Sequence, residues 1–154
     1  VQVQLQLPTL EATAALGHAL AARLFPGAVI ALIGQLGAGK THLTAAIAEG
    51  LGIPRGVSSP TFVLQQEYHG QRIVHHFDVY RLPSSQAFAD LGVSEYLEGD
   101  DVCIIEWADK VQAHLPVDRL EIVLEATGEA CRRATLTATG PRHVTLLENL
   151  KLPT

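Results

Sequence analysis

Apolar and polar positions along the chain divide it into alternating, helical and continuous stretches. Residues 1–7 alternate, with Val1, Val3, Leu5 and Leu7 set against Gln2, Gln4 and Gln6, which predicts a half-buried strand. Pro8-Thr9 stops it, and Thr9 is placed to cap a helix over residues 10–24, where Leu16, Leu20 and Leu24 recur at helical spacing. Pro26-Gly27 breaks that helix. Residues 28–33 are continuously apolar, as a central strand covered on both faces would be. A second helix is expected over residues 40–51, with Leu43, Ile47 and Leu51 four apart and Gly52 and Pro54 ending it.

Residues 55–60 read as a loop, and residues 61–69 and 71–78 as two strands of a hairpin around Gly70. A helical segment over residues 84–91 would be capped by Ser84 or Ser85. Residues 102–107 form another buried strand, in which Glu106 closes the apolar run Val102-Cys103-Ile104-Ile105. Leu120, Ile122 and Leu124 alternate, as do Ala134, Leu136 and Ala138, giving two strands around the turn Thr127-Gly128-Glu129. From Gly140 the chain reads as a C-terminal tail, with a short helix through Leu146, Leu147 and Leu150.

Between the strand ending at Ile33 and the helix starting at Lys40 lies Gly34-Gln35-Leu36-Gly37-Ala38-Gly39-Lys40-Thr41, a full match to G-x-x-x-x-G-K-[ST]. Glycines let successive backbone N–H groups curl around phosphate oxygens. The following helix points its N-terminal dipole at the same anion. Lys40 can reach the β- and γ-phosphates, the Thr41 hydroxyl can coordinate Mg²⁺, and the His42 backbone N–H can meet the α-phosphate. Gly34, Leu36, Gly37, Ala38, Gly39, Lys40, Thr41 and His42 are therefore the expected nucleotide-binding residues, with Mg²⁺ and ATP as cofactors. The fold expected is an α/β, three-layer P-loop NTPase-like domain spanning residues 1–154, with a mixed parallel and antiparallel sheet.

Composition narrows this further. At 47% apolar and 18% charged, the chain is globular rather than disordered. A formal net charge of −5 with no basic run argues against strong binding to tRNA or DNA by the chain alone. Cys103 sits in an apolar run, and two cysteines make no disulfide framework. With no secretory signal and no apolar run long enough to span a membrane, the cytoplasm is the expected compartment.

A phosphate loop needs an acid at the end of a neighbouring strand, to serve the metal or the attacking water. Glu106 and Asp78 both close apolar strands and are the expected acids, Glu106 also as a metal-side ligand with Thr41. His75 and His76 are adjacent, so on a strand they face opposite ways and cannot pinch one metal; a structural or surface role is expected. For Trp107 two readings stay open: an aromatic simply packed in the fold, or one near the nucleotide or on a partner surface. Arg81 could neutralise phosphate charge, and of Arg132 and Arg133 one could contact nucleotide; Arg132 is the candidate chosen.

Taken together, Gly37-Ala38-Gly39-Lys40-Thr41, Ser59-Pro60-Thr61, His76-Phe77-Asp78-Val79-Tyr80-Arg81-Leu82, Ile105-Glu106-Trp107 and Leu115-Pro116 resemble the bacterial TsaE family, also called YjeE. Gln35 and His42 stand where that family often has Asp and Thr. The resemblance implies an ATPase of tRNA threonylcarbamoyladenosine biosynthesis, which resets the TsaB–TsaD transferase pair between turnovers and meets tRNA through that complex. It places Asp78 in a switch-like catalytic region and Thr61 in a loop sensing the γ-phosphate. Two other readings of the phosphate loop stay open: a small-molecule kinase, and a nucleotide sensor that does not hydrolyse.

Overall fold

The structure is a computed structural model that describes residues 1–54 and 65–151. The expected loop over residues 55–60, the first residues of the following strand and Thr61 lie outside the described residues. The elements run β1 (Gln2–Leu7), α1 (Leu10–Ala21), β2 (Val29–Ile33), α2 (Lys40–Gly50), β3 (Gln65–His69), β4 (Ile73–Asp78), α3 (Ser85–Ala89), α4 (Ser94–Leu97), β5 (Val102–Glu106), β6 (Leu120–Ala126), β7 (Arg132–Ala138) and α5 (Pro141–Glu148). Two 3₁₀ turns, Ala108–Lys110 and Gln112–His114, follow β5.

All seven strands join one sheet in the order β1-β7-β6-β2-β5-β4-β3. The central four, β6, β2, β5 and β4, are parallel. The outer pairs β6–β7, β1–β7 and β3–β4 are antiparallel. The sheet is thus mixed, as expected, with β2 near its middle. Alternate residues of β2 feed different cores: Ile30 and Leu32 pack with α1 and α2, while Val29 and Ala31 pack with Phe88 of α3 and Leu97 of α4. β5 divides the same way, Ile104 to one side and Cys103 and Ile105 to the other. Coverage on both faces explains the unbroken apolar runs of these strands and gives the three layers.

The caps follow their chemistry. The Thr9 hydroxyl accepts the Ala12 N–H at 3.0 Å, and Ser84 rather than Ser85 accepts the Ala87 N–H at 3.2 Å. α1 stops at Ala21, three residues before the expected Leu24, because its last turns tighten to Leu20–Arg23 and Ala21–Leu24 hydrogen bonds ahead of Pro26. β5 ends at Glu106, not Trp107, since Trp107 adopts a left-handed backbone, φ 62°. α4 and the 3₁₀ turns are too short to leave a periodic signature. Cys103 is a buried free thiol, pushed up to about 12 by burial and by nearby Asp101.

α1 and α2 pack closely through small residues. A methyl on Gly17 would lie 2.5 Å from the Ala46 Cβ, and one on Gly50 would lie 2.6 Å from the Ala21 Cβ. The stretch expected as a tail forms α5, whose Leu146 and Leu147 join the core. Its His143 is fully buried: Nδ1–H donates to Asp118 at 2.6 Å, and Nε2 accepts the Val29 N–H at 3.0 Å. That tautomer pins the start of β2 to the end of the chain.

Two measurements test this frame. Gly17→Leu should lower stability by about 1–3 kcal/mol through overpacking, despite leucine's better helix propensity; an unchanged urea midpoint would mean that α1 and α2 can separate freely. Burial pushes the Asp118 carboxyl up, but hydrogen bonds from His143 and Arg142 outweigh it and bring it from 3.8 down to about 2. A lowered carboxylate stabilises the fold above its ordinary range and loses that contribution as pH falls from about 4 toward 2. Burial also lowers His143, more than Asp118 raises it, so protonating it costs stability as pH drops below its ordinary value of 6.5. Asp118→Asn should therefore be less stable at pH 7, with its urea midpoint converging on wild type toward pH 2; parallel curves would contradict the assignment.

Candidate nucleotide site

β2, β5 and β4 end side by side, with Leu32 paired to Glu106 and Glu106 paired to Asp78. The carboxyl ends of adjacent parallel strands are where an open α/β sheet presents its crevice. The loop leaving β2 occupies that edge. A Cβ on Gly34 would lie 2.6 Å from the Leu124 carbonyl oxygen of β6, so only glycine lets the loop leave this tightly. At Gly37 a Cβ would meet nothing, yet φ is 81°; Gly39 has φ 103°. Backbone conformation, not space, demands glycine at both.

Gly39 is also the N-cap of α2, and no side chain caps that helix. The first N–H groups of a helix lack intrahelical partners. Leaving them without a capping side chain keeps the first turn, with its positive dipole end, directed at an incoming anion. Arg132, at the start of β7, braces the same loop from outside. Its Nε–H donates to the Ala38 carbonyl at 2.9 Å and an Nη2–H to the Gly37 carbonyl at 3.1 Å, while Nη1 serves the Gly128, Glu129 and Cys131 carbonyls. Arg133 points away and pairs with Glu125.

The Lys40 ammonium folds back on its own loop, donating to the Gly34 carbonyl at 2.5 Å and the Gln35 carbonyl at 2.9 Å. Its other side rests 4.1 Å from the centre of the Trp107 ring. Burial lowers its pKa, and the nearby charges of Glu106, Asp78 and Asp109 partly offset that. Three carboxylates thus face one lysine from the ends of β4 and β5 and the first 3₁₀ turn.

Glu106 is 2% exposed. The Thr41 hydroxyl donates to its Oε1 at 3.1 Å, and His76 Nε2–H donates to its Oε2 at 2.5 Å. With Nε2 protonated, His76 Nδ1 is the acceptor for the Tyr68 hydroxyl 3.1 Å away, whose single proton is shared between that nitrogen and the Gln66 Oε1. Asp78 accepts the Tyr80 N–H at 3.0 Å. Tyr80 stacks on Trp107 with ring centres 4.6 Å apart, and Lys110 lies over the Tyr80 ring. Trp107 is the single non-glycine residue with positive φ among the described residues, a conformation costing a bulky side chain about 1–2 kcal/mol. The turn aims its indole at Lys40.

Lys40, Thr41, Asp78, Glu106 and Arg132 are therefore brought together around one loop. Leu36 is 83% exposed at the loop's tip. His42 turns its ring outward to the Leu10 carbonyl, leaving only its backbone at the loop. The residue that spacing did not single out is His76. It is buried, not on the surface, and holds the acid. Its period-two relation to Asp78 was a usable signal, but which strand lay beside β4 was not readable from the chain. No cluster of three or more His, Cys, Asp or Glu side chains among the described residues could hold a metal. The donor set at Thr41 and Glu106 is one hydroxyl and one carboxylate beside a phosphate cradle. That fits Mg²⁺, which takes few protein oxygens and completes its shell with phosphate and water.

Comparison with known proteins identifies the chain's relatives. The family model described as threonylcarbamoyl adenosine biosynthesis protein TsaE matches residues 7–134, a span that includes the loop, Asp78, Glu106, Trp107 and Arg132. The tRNA threonylcarbamoyladenosine biosynthesis protein TsaE of Bacillus subtilis is 45% identical over 141 residues, covering 91% of this chain and 88% of that protein. Its counterpart of the same name in Treponema pallidum is 40% identical, covering 80% and 92%. The crystal structure of Bacillus subtilis YdiB superposes with a TM-score of 0.86 at 40% identity, over 97% of this chain and 94% of that one. With its phosphate loop, its paired strand-end acids and this match through most of its length, the chain belongs to the TsaE family.

Proposed function

We propose that the chain is a Mg²⁺-dependent ATPase of tRNA threonylcarbamoyladenosine biosynthesis, which hydrolyses ATP to reset the TsaB–TsaD transferase complex. The observation that carries this reading is the 3.1 Å contact between the Thr41 hydroxyl and Glu106 at the mouth of an uncapped, glycine-bearing loop. That contact sets a metal-side hydroxyl and a strand-end acid where a P-loop ATPase uses them. The partners come from the family's place in the pathway. No described helix is long and apolar enough to cross a membrane, and we place the protein in the cytoplasm with that pathway.

Backbone N–H groups of the loop and the first turn of α2, His42 included, bind the phosphates. Arg132 serves the nucleotide through the loop, keeping the Gly37 and Ala38 carbonyls turned toward β7. The Lys40 ammonium leaves the Gly34 and Gln35 carbonyls for the β- and γ-phosphate oxygens, exchanging neutral acceptors for charged ones. Thr41 and Glu106 hold Mg²⁺, which when bound neutralises phosphate charge in the transition state. Asp78, two residues from Tyr80 and beside Glu106 in register, orients the attacking water. No covalent intermediate on the protein is required.

Free-phosphate release from Mg-ATP, with and without TsaB–TsaD, tests the reading. Release should be weak alone, rise with the partners and fall by about 100-fold or more in Lys40→Ala. Stoichiometric ADP with a phosphorylated acceptor and no free phosphate would instead indicate a kinase, and nucleotide binding without turnover a sensor. Glu106→Gln keeps the shape and the Thr41 contact but removes the charge. It should raise the Mg²⁺ needed for half-maximal turnover by about 10-fold, and an unchanged requirement would remove Glu106 from the metal side.

A further inference from the structure

Glu106 has two oxygens and two donors: the Thr41 hydroxyl lies 3.1 Å from Oε1 and 3.4 Å from Oε2, and His76 Nε2 lies 2.5 Å from Oε2. Thr41 holds Oε1 from the first turn of α2, and His76 holds Oε2 from β4. The two donors differ in what nucleotide would do to them. The Thr41 hydroxyl turns to the metal in the reading above, so its bond to Glu106 is given up on binding. His76 is fully buried, lies on a central strand, and has its other ring nitrogen against the Tyr68 hydroxyl of β3. Among the described residues its side-chain polar partners are Glu106 and Tyr68, so its link to the phosphate loop runs through the carboxylate.

We propose that His76 is the positioning residue of this site: it holds the Glu106 carboxylate in orientation once Thr41 has left it, so that Oε1 stays directed at the metal. This role rests on the Mg-nucleotide reading of the loop. A metal-binding carboxylate with both oxygens free to rotate samples orientations that bind the ion poorly. A partner on the far oxygen removes that freedom, and loss of such a partner costs about 10- to 100-fold in metal affinity. Tyr68 extends the support to the sheet's edge strand, with its hydroxyl 3.1 Å from His76 Nδ1 and its ring 5.8 Å from that of His76.

The test compares two variants of equal chemistry and unequal reach. His76→Gln carries an amide N–H toward the place of Nε2. His76→Asn carries the same amide one methylene short, where it meets Tyr68 but not Glu106. Calorimetric titration of the full chain with a non-hydrolysable ATP analogue, across a Mg²⁺ series, reads affinity without turnover. We expect Asn to need about 10-fold more Mg²⁺ for the same analogue affinity, Gln to stay within about 3-fold of wild type, and metal-free analogue binding to be equal in all three. Equal Mg²⁺ responses in Asn and Gln, shifted or not, would overturn the role of His76 alone, provided wild type gains affinity with Mg²⁺. No Mg²⁺-dependent gain in wild type would instead bring down the metal site itself. Should the Asn variant fail to fold, proton NMR of the unaltered protein decides. A slowly exchanging, downfield imidazole N–H that disappears in His76→Gln supports the bond, and its absence refutes it.

Discussion

Burying the Glu106 carboxylate is the constraint around which the site is arranged. An ionised carboxyl removed from water costs several kcal/mol unless donors reach it, and Glu106 is 2% exposed at the end of a central strand. The two donors that reach it come from different elements, α2 and β4. Satisfying one side chain therefore ties the helix that starts the phosphate loop's far side to the strand that ends in Asp78. Paired burial of this kind is weak evidence for net stability. It is better understood as fixing geometry, since any other placement of α2 would strand the charge.

The phosphate loop is held by comparable means on its remaining sides. Gly34 lets it lie against the Leu124 carbonyl of β6, Arg132 grips its outer carbonyls from β7, and Gly17 and Gly50 bring α1 against the helix it feeds. The start of β2 is in turn fastened by His143 of α5. Elements distant in sequence thus converge on eight consecutive residues. This is preorganisation in the structural sense: the backbone donors are already set, and in the proposed cycle only the Lys40 and Thr41 side chains turn.

What the chain reveals by pattern and what it withholds divide along physical lines. The glycines and Lys40-Thr41 were legible because a phosphate cradle tolerates few residue types, and β2 and β5 because strands covered on both faces are continuously apolar. Thr9 and Ser84 were legible as caps because a short hydroxyl side chain satisfies a helix end locally. The role of His76 was not, because it depends on β4 lying parallel to β5, a choice of neighbour that no local period encodes. Arg132 could be named as a residue of the site, but not its carbonyl partners, which lie more than ninety residues away along the chain. α5 read as a tail because its stabilisation comes from His143 and two leucines meeting a core built earlier in the chain.

The left-handed turn at Trp107 has an optical consequence. The chain contains one tryptophan, so fluorescence excited at wavelengths that its three tyrosines do not absorb comes from a single place. An ammonium 4.1 Å from the ring centre and a tyrosine stacked at 4.6 Å shape the excited state of that indole. On the proposed turn of Lys40 to a phosphate, the cation would leave the ring face and the emission would change in wavelength and yield. The fold has placed an intrinsic chromophore directly on the ammonium proposed to move, and stopped-flow fluorescence of the unmodified protein would therefore read the proposed arrival and departure of nucleotide in real time.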